Sequence, residues 1–534
     1  MQVASKKQAQ KLDLRFNMTR SLDKLLKCSV AFFDEMHRFN VSYCHFKSNE
    51  HLLEALAGKT DLDILINRSS YTQTVDALNN SGFKRFQTAA SISYPAVEDY
   101  LGFDEETGKL VHVHLHWQMI AGEPKLKGFR LPWEQQILKH RICDETNNIY
   151  ISSPEGELIL LLTRAALKLR FRDKIKHVLL NRPYFRGGME IEHQWLQKRI
   201  DPQKTVELAT VFYNKDVANV IKRLAETEKV SNKDIFAYRK AAWPVLKHYR
   251  TFSACSAHLL RWQRELSGLK SKVLTRFASS NKLTRRGPAT GGLLIALLGV
   301  DGSGKSTHSK ELAKWLGWKA DVKTLYLGSG DGHKSFARGL MTGLINNIAL
   351  FKNKVVGKPG KPKPKGSDNK SSLAKPSPPL TKRPMLKKLY RSVYALLLAR
   401  EKQKKLRGAF RARNRGAVVI TDRYPQDQIM GFNDGPLLND FKNASWPWSW
   451  FYKRETRIYK KMLALQPDLV IKLEVTAKTA RERKKDTPAE MIQRKIDAVK
   501  QLAFNNTSNV VSIDANKPLE MVLLDIKQEV WSML

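Results

Sequence analysis

The chain has only four cysteines in 534 residues (Cys28, Cys44, Cys143 and Cys255), and no two of them stand in C-x-x-C spacing. That excludes a disulfide framework and a ribbon-type zinc site, and points to buried or free thiols in a reducing compartment. No apolar run approaches the ~18 residues that a membrane span requires. Residues Met1 to Phe16 are polar and lysine-bearing, without the apolar stretch of a secretory signal. A cytoplasmic location is the resulting expectation. Acid is scarce as well: 51 Asp and Glu stand against 93 Lys and Arg, for a net charge of +42. Such an excess argues for anionic partners. No internal repeat is visible.

Apolar content of 42% is ample for globular folding, and the length exceeds what one core organises. Three zones are expected. Residues 20–150 alternate helical and strand patterns, residues 151–285 continue in helical spacing, and residues 286–534 alternate short apolar strands with helices. The third zone is interrupted by a segment, 352–384, made of Lys, Pro, Gly and Ser (GKPGKPKPKG, AKPSPPLTKRP). With almost nothing to bury, it reads as a disordered insert. Between Lys352 and Arg415 stand 21 Lys and Arg against Asp368 and Glu401 alone. The insert is read first as a solvated linker. A tether to an anionic polymer or membrane surface is the alternative, disfavoured because no aromatic residues interleave the charge for base stacking.

What the chain does contain is most informative at Gly299-Val300-Asp301-Gly302-Ser303-Gly304-Lys305-Ser306-Thr307, directly after the apolar run Leu293–Leu298. The pattern G-x-x-x-x-G-K-[ST] between a strand and a helix is a phosphate-binding loop. Its glycines let backbone N–H groups close around a phosphate chain at a positive helix end. Lys305 is expected at the β/γ-phosphates of ATP and Ser306 at Mg²⁺. Gly299, Asp301, Gly302, Ser303, Gly304 and Thr307 complete the cradle. Five strand-like runs, Leu293–Leu298, Lys323–Leu327, Ala417–Thr421, Asp468–Val475 and Asn509–Ile513, imply a doubly wound parallel sheet. The run Ala417–Thr421 ends in Asp422-Arg423-Tyr424-Pro425, which puts an acid and a base at the edge where phosphates lie. Further on, Arg481 and Arg483 open a basic helix suited to a lid.

These residues resemble the thymidylate kinase family of P-loop kinases. The match runs through GVDGSGKST (299–307), ITDRYP (420–425), PDLVIKLEV (467–475) with its basic sequel, and VVSIDANKPLE (510–520). The resemblance implies that Asp422 and Arg423 meet the acceptor phosphate while Arg481 and Arg483 meet the donor.

In the first zone, Phe46-Lys47-Ser48 precedes Asp61-Leu62-Asp63 by a short interval. Aspartates at i and i+2 of a strand share a face, so Asp61 and Asp63 can converge on metal. Serine turn and D-x-D together resemble the polymerase-β-type nucleotidyltransferase fold, which implies an α+β leading domain. That pattern needs a third carboxylate on a neighbouring strand. The candidate strand, Val111–Trp117, carries His112, His114 and His116 on one face and no acid, a set better suited to Mn²⁺ or Zn²⁺ than to Mg²⁺. In the helical segment Arg164, Arg170, Arg172 and Arg182 are read as a phosphate groove or a plain basic helix face.

The combined expectation is an α/β protein: a nucleotidyltransferase-like domain, a helical connecting domain and a P-loop domain. Its expected work is ATP-dependent phosphoryl transfer to a small phosphorylated acceptor, a nucleoside monophosphate first. A kinase or nucleotidyltransferase acting on a sugar or glycan intermediate, and a nucleotide-gated nucleic-acid-binding module, stand as alternatives. A second copy of the chain is a further partner to test.

Overall fold

A computed structural model describes residues 25–124, 126–169, 183–253, 255–257, 259–266, 283–328, 384–429, 435–484, 489–504 and 509–534. The basic insert at 352–384, apart from Pro384, lies outside them, as do Arg170, Arg172 and Arg182. The chain divides into two compact units, Met1–Ser280 and Asn281–Leu534.

The leading unit begins with α1 (Lys27–Arg38), β1 (Tyr43–His45), α2 (Leu52–Leu56), β2 (Asp61–Ile66), α3 (Tyr71–Asn80), β3 (Lys84–Thr88), β4 (Val97–Asp104) and β5 (Lys109–His116). A small hairpin, β6 (Met119–Ala121) and β7 (Phe129–Leu131), leads to α4 (Glu134–Lys139), β8 (Ile142–Asp144) and β9 (Ile149–Ile151). The main strands of this unit lie in the order β3-β4-β5-β2-β1-β9-β8. Pairing is mixed: β2 runs parallel to β5, while β4 runs antiparallel to β5. Strand alternation divides the residues cleanly. Leu62, Ile64, Val111 and Val113 point into a core with Phe32, Phe33 and Met36 of α1. Asp61, Asp63, His112 and His114 therefore share the opposite face, registered as Asp61↔His112 and Asp63↔His114.

Helices follow: α5 (Pro154–Lys168), α6 (Gly188–Gln197), α7 (Pro202–Phe212), α8 (Lys215–Glu226) and α9 (Asn232–Leu246). Ser153 caps α5 by accepting a bond from the Gly156 N–H at 3.2 Å, and Pro154 supplies a preset first turn. The run Leu158–Leu162 is buried all round, because α5 is surrounded by α6, α7 and α9. The same core takes in Phe46, Leu65 and Met119, so α5 lies on the sheet face that carries Asp63.

The second unit contains β10 (Leu294–Gly299), α10 (Lys305–Leu316), β11 (Val322–Tyr326), α11 (Met385–Arg413), β12 (Val418–Asp422), α12 (Trp448–Leu463), β13 (Leu469–Glu474), α13 (Ala477–Arg483), α14 (Ala489–Gln501), β14 (Asn509–Asp514) and α15 (Leu519–Met533). Five parallel strands stand in the order β11-β12-β10-β13-β14. Each coincides with a run picked out in the sequence; the inner strands β10, β12 and β13 are buried almost throughout and read as nearly continuous apolar stretches, while the edge strands β11 and β14 are largely half-buried or exposed. Asp468 anchors the entry of β13: it accepts the Leu294 N–H at 2.7 Å and pairs with Arg413 of α11. Among the described residues no helix is long and apolar enough to cross a membrane.

Candidate functional site

The loop after β10 has the backbone that its glycines permit. Gly299, Gly302 and Gly304 take φ of 154°, 89° and 88°, in the region that side chains disfavour. A Cβ on Gly302 would stand 2.5 Å from the Ala480 carbonyl oxygen, so α13 closes directly on the loop. Gly302→Ala is therefore expected to cost about 1–3 kcal/mol of stability and to loosen phosphate binding. Denaturant unfolding of the variant checks it, and wild-type stability would refute the close approach.

Register brings the second motif to the loop. Leu297 of β10 pairs with Asp422 of β12, and the Arg423 N–H donates to the Leu297 carbonyl at 3.0 Å. Ser306 Oγ then donates to Asp422 Oδ2 at 2.5 Å. Asp422 is buried, and its second oxygen has no hydrogen-bond partner among the described residues. A serine hydroxyl beside a buried, half-satisfied carboxylate fits a hard cation such as Mg²⁺ held through oxygen. Arg423, at φ 74°, reaches back to Asp301 Oδ1 at 2.9 Å.

Lys305 is buried and donates to the Val300 carbonyl at 2.7 Å. Burial first, then Arg423, pulls its ammonium down to about 8. The two arginines expected in a lid separate. Arg483 donates to the Ala515 carbonyl at 2.8 Å, and Arg481 is exposed on α13. Lys484 lies close enough to depress the Lys305 ammonium. Sequence reasoning also missed Lys495 of α14, which pairs with Asp301 Oδ2 at 3.1 Å. Nothing in its amphipathic helix singles it out, since only the packing of α14 against β10 and β13 brings it here. Burial opposes ionisation of Asp301, but Lys495 and Arg423 hold its carboxyl at about 2. Past Arg423, a cavity of about 190 Å³ is lined by Tyr424, Gln426, Gln428, Gln466 and Phe504 among others.

In the leading unit, the D-x-D face holds a tight mixed cluster. His112 lies 2.9 Å from Asp61 through Nδ1 and 2.9 Å from Asp99 through Nε2. His114 lies 3.3 Å from Asp63 and 3.0 Å from Asp99. Asp99, on β4, is the neighbouring-strand acid that inspection of Val111–Trp117 alone did not supply. Antiparallel pairing sets it opposite His114. Asp61, His112 and His114 each offer one ligand atom within 4.8 Å of the others, as do Asp63, His114 and His116. Lys47, however, pairs with Asp63 at 2.9 Å. Burial would raise the Asp63 carboxyl, but Lys47 and His114 hold it well below the usual range.

In the same unit Glu50, Glu157 of α5 and Glu192 of α6 converge, all buried. Asn49 donates twice to Glu157, at 2.9 and 2.6 Å, and Arg164 pairs with Glu192 at 3.3 Å. Burial, then Glu192 and Glu157, pushes the Glu50 carboxyl up to about 8. Glu157 is raised too, by burial and then Glu192. Carboxyls with raised folded-state values bind protons more tightly when folded, so stability is lost as pH rises from the unfolded value toward 8. The leading unit is expected to lose on the order of 2 kcal/mol between pH 5 and 8. Denaturant unfolding of the full chain should show this decline, flattened in Glu50→Gln; an equal decline in that variant would remove Glu50 as its cause.

No protein-family model matches the chain. Over 234 residues it is 30% identical to the "Uncharacterized ATP-binding protein YghR" of Escherichia coli (strain K12), which covers 43% of this chain and 83% of that protein. The chain belongs to the YghR family. A second relative, the "Uncharacterized ATP-binding protein YghS" of the same strain, is 29% identical over 235 residues, 43% of this chain and 89% of its own length. More than half of this chain is thus outside what either YghR-family match covers.

Proposed function

We propose that this YghR-family chain binds ATP at residues 299–307 and transfers its γ-phosphoryl group to a small phosphorylated acceptor. The single observation that carries the reading is the convergence of Lys305, Ser306, Asp422 and Arg423 at the carboxyl ends of β10 and β12. Its relatives' names, which call them ATP-binding, support the donor. The resemblance to thymidylate kinases supports a nucleoside monophosphate as the first acceptor class.

In this reading an acceptor phosphate oxygen attacks the γ-phosphorus, the β–γ bridging bond breaks, and ADP leaves with the electron pair. Bound Mg²⁺ would neutralise phosphate charge. Ser306 and Asp422 would hold it, the backbone N–H groups around Gly302 and Gly304 would orient the chain of phosphates, and Lys305 would swing from Val300 to the β/γ oxygens. Arg423 leaves Asp301 to clamp the acceptor phosphate, and Lys484, Lys495, Arg481 and Arg483 are the lid cations available to the donor. The acceptor's remaining atoms would extend toward the cavity past Arg423. Catalysis of this kind is positioning plus charge neutralisation. ADP release from ATP should be measured against nucleoside monophosphates and phosphorylated and free sugars. Turnover with none of them, at any divalent ion, would discard the kinase reading.

For the leading unit we propose a nucleotidyltransferase-like fold in which Asp61, joined by His112 and His114, holds a divalent ion, while Asp63 is taken by Lys47. The nitrogen-rich donor set favours Mn²⁺ or Zn²⁺ over Mg²⁺.

A further inference from the structure

We propose that the leading unit holds the phosphate groups of a small phosphorylated ligand in a cradle of Lys47, Lys127, Arg164 and Lys168, and that this binding needs no divalent cation. The four cations come from three separate elements. Lys47 follows β1, Lys127 stands in the β6–β7 connection, and Arg164 and Lys168 lie one turn apart on α5. Packing draws these elements together. Asn49, two residues after Lys47, is bound through its backbone and side chain to Glu157 of α5. Glu157, Arg164 and Lys168 recur at helical spacing along one side of α5. The β6–β7 hairpin packs on α5 as well.

Charge in the cluster is unbalanced. Lys47 has Asp63 at 2.9 Å and Arg164 has Glu192 at 3.3 Å. Among the described residues no acid forms an ion pair with Lys127 or Lys168. Glu50 does not restore the balance near neutral pH, because its raised carboxyl favours the protonated form. The cations are close enough to act on one another. Burial, then Lys47, Lys168 and Arg164, lowers Lys127 to about 7. Burial, then Arg164 and Lys47, lowers Lys168 to about 8. Folding thus gathers partly buried like charges whose repulsion Asp63 and Glu192 only partly offset, and a bound anion would relieve it further. Ammonium and guanidinium donors offered from several directions suit phosphate oxygens better than one planar carboxylate.

The seat of Lys47 explains the independence from metal. Its ammonium already stands on Asp63, where a phosphate-bridging cation would otherwise be held. The ligand's phosphate then meets fixed cations of the protein.

Calorimetry of the full chain with pyrophosphate in EDTA tests the proposal, in wild type, Lys305→Ala and the pair Lys127→Gln/Lys168→Gln. Binding is expected in wild type and retained in Lys305→Ala, which separates this site from the loop at 299–307. The pair should weaken it by about tenfold for each cation removed. Lys168→Arg, which keeps the charge, should bind and so controls for folding. Parallel titrations with ATP and a phosphorylated sugar identify the ligand's source: tighter ATP binding that the pair abolishes points to a nucleotide, and tighter sugar phosphate binding to a glycosyl ligand. No binding in EDTA, binding only after Mn²⁺ is added, or binding unchanged in the pair would each overturn the proposal.

Discussion

Lys305→Ala is expected to lower kcat for ATP-dependent phosphoryl transfer by on the order of 10³-fold, the scale at which a single phosphate-stabilising cation acts in such reactions. The ammonium is the one cation inside the glycine loop itself, buried and tied to the Val300 carbonyl. Moving to the phosphates, it exchanges a neutral carbonyl for anionic oxygens, and that gain is largest when negative charge shifts onto the bridging oxygen. Removing it also relieves a desolvated cation that Arg423 already disfavours, so the variant should fold with stability near that of the parent. Single-turnover kinetics at saturating ATP reads the effect without confusing it with binding. Parent-like turnover would show that phosphoryl transfer, if it occurs, uses another site.

Arg423→Ala should raise the acceptor KM and lower kcat, together costing on the order of 10²-fold in kcat/KM, with ATP affinity nearly unchanged. A guanidinium grips a phosphate through two parallel donors, and no other side chain at the end of β12 replaces it. Its held position, with a positive φ and an ion pair to Asp301, is costly for a non-glycine residue and marks a built site. Asp301 stands in for an anion on both Arg423 and Lys495. Losing Arg423 leaves Asp301 paired with Lys495, and Asp301→Asn should not mimic the acceptor defect. Equal loss of ATP affinity in Arg423→Ala would move Arg423 to the donor side.

Much of the second unit could be read directly from the chain. Its inner strands β10, β12 and β13 are largely apolar runs, and the positions of Gly299, Gly302, Gly304, Lys305 and Ser306 follow from local backbone chemistry within nine residues. Asp422 and Arg423 were legible because a buried strand ending in charge must open at a sheet edge. Lys495 was not. It lies 194 residues from Asp301 and reaches it only through the packing of α14.

The leading unit shows the same division more sharply. Strand periodicity places Asp61 with Asp63, and His112 with His114 and His116, because alternate residues share a face whatever surrounds them. Which strand stands beside which depends on pairing across the sheet. Only that pairing brings Asp99 to the histidines, and only the packing of α5 brings Arg164 and Lys168 toward Lys47. The sequence by itself determined the phosphate loop, the α/β class and the two rows of metal-capable side chains, since each depends on neighbours within a turn or a strand. The tertiary structure alone decided the countercharges, Lys47 on Asp63, Lys495 on Asp301 and the unbalanced cations of the leading unit. Coulomb interactions are set by distance in space, and spacing along the chain carries no record of it.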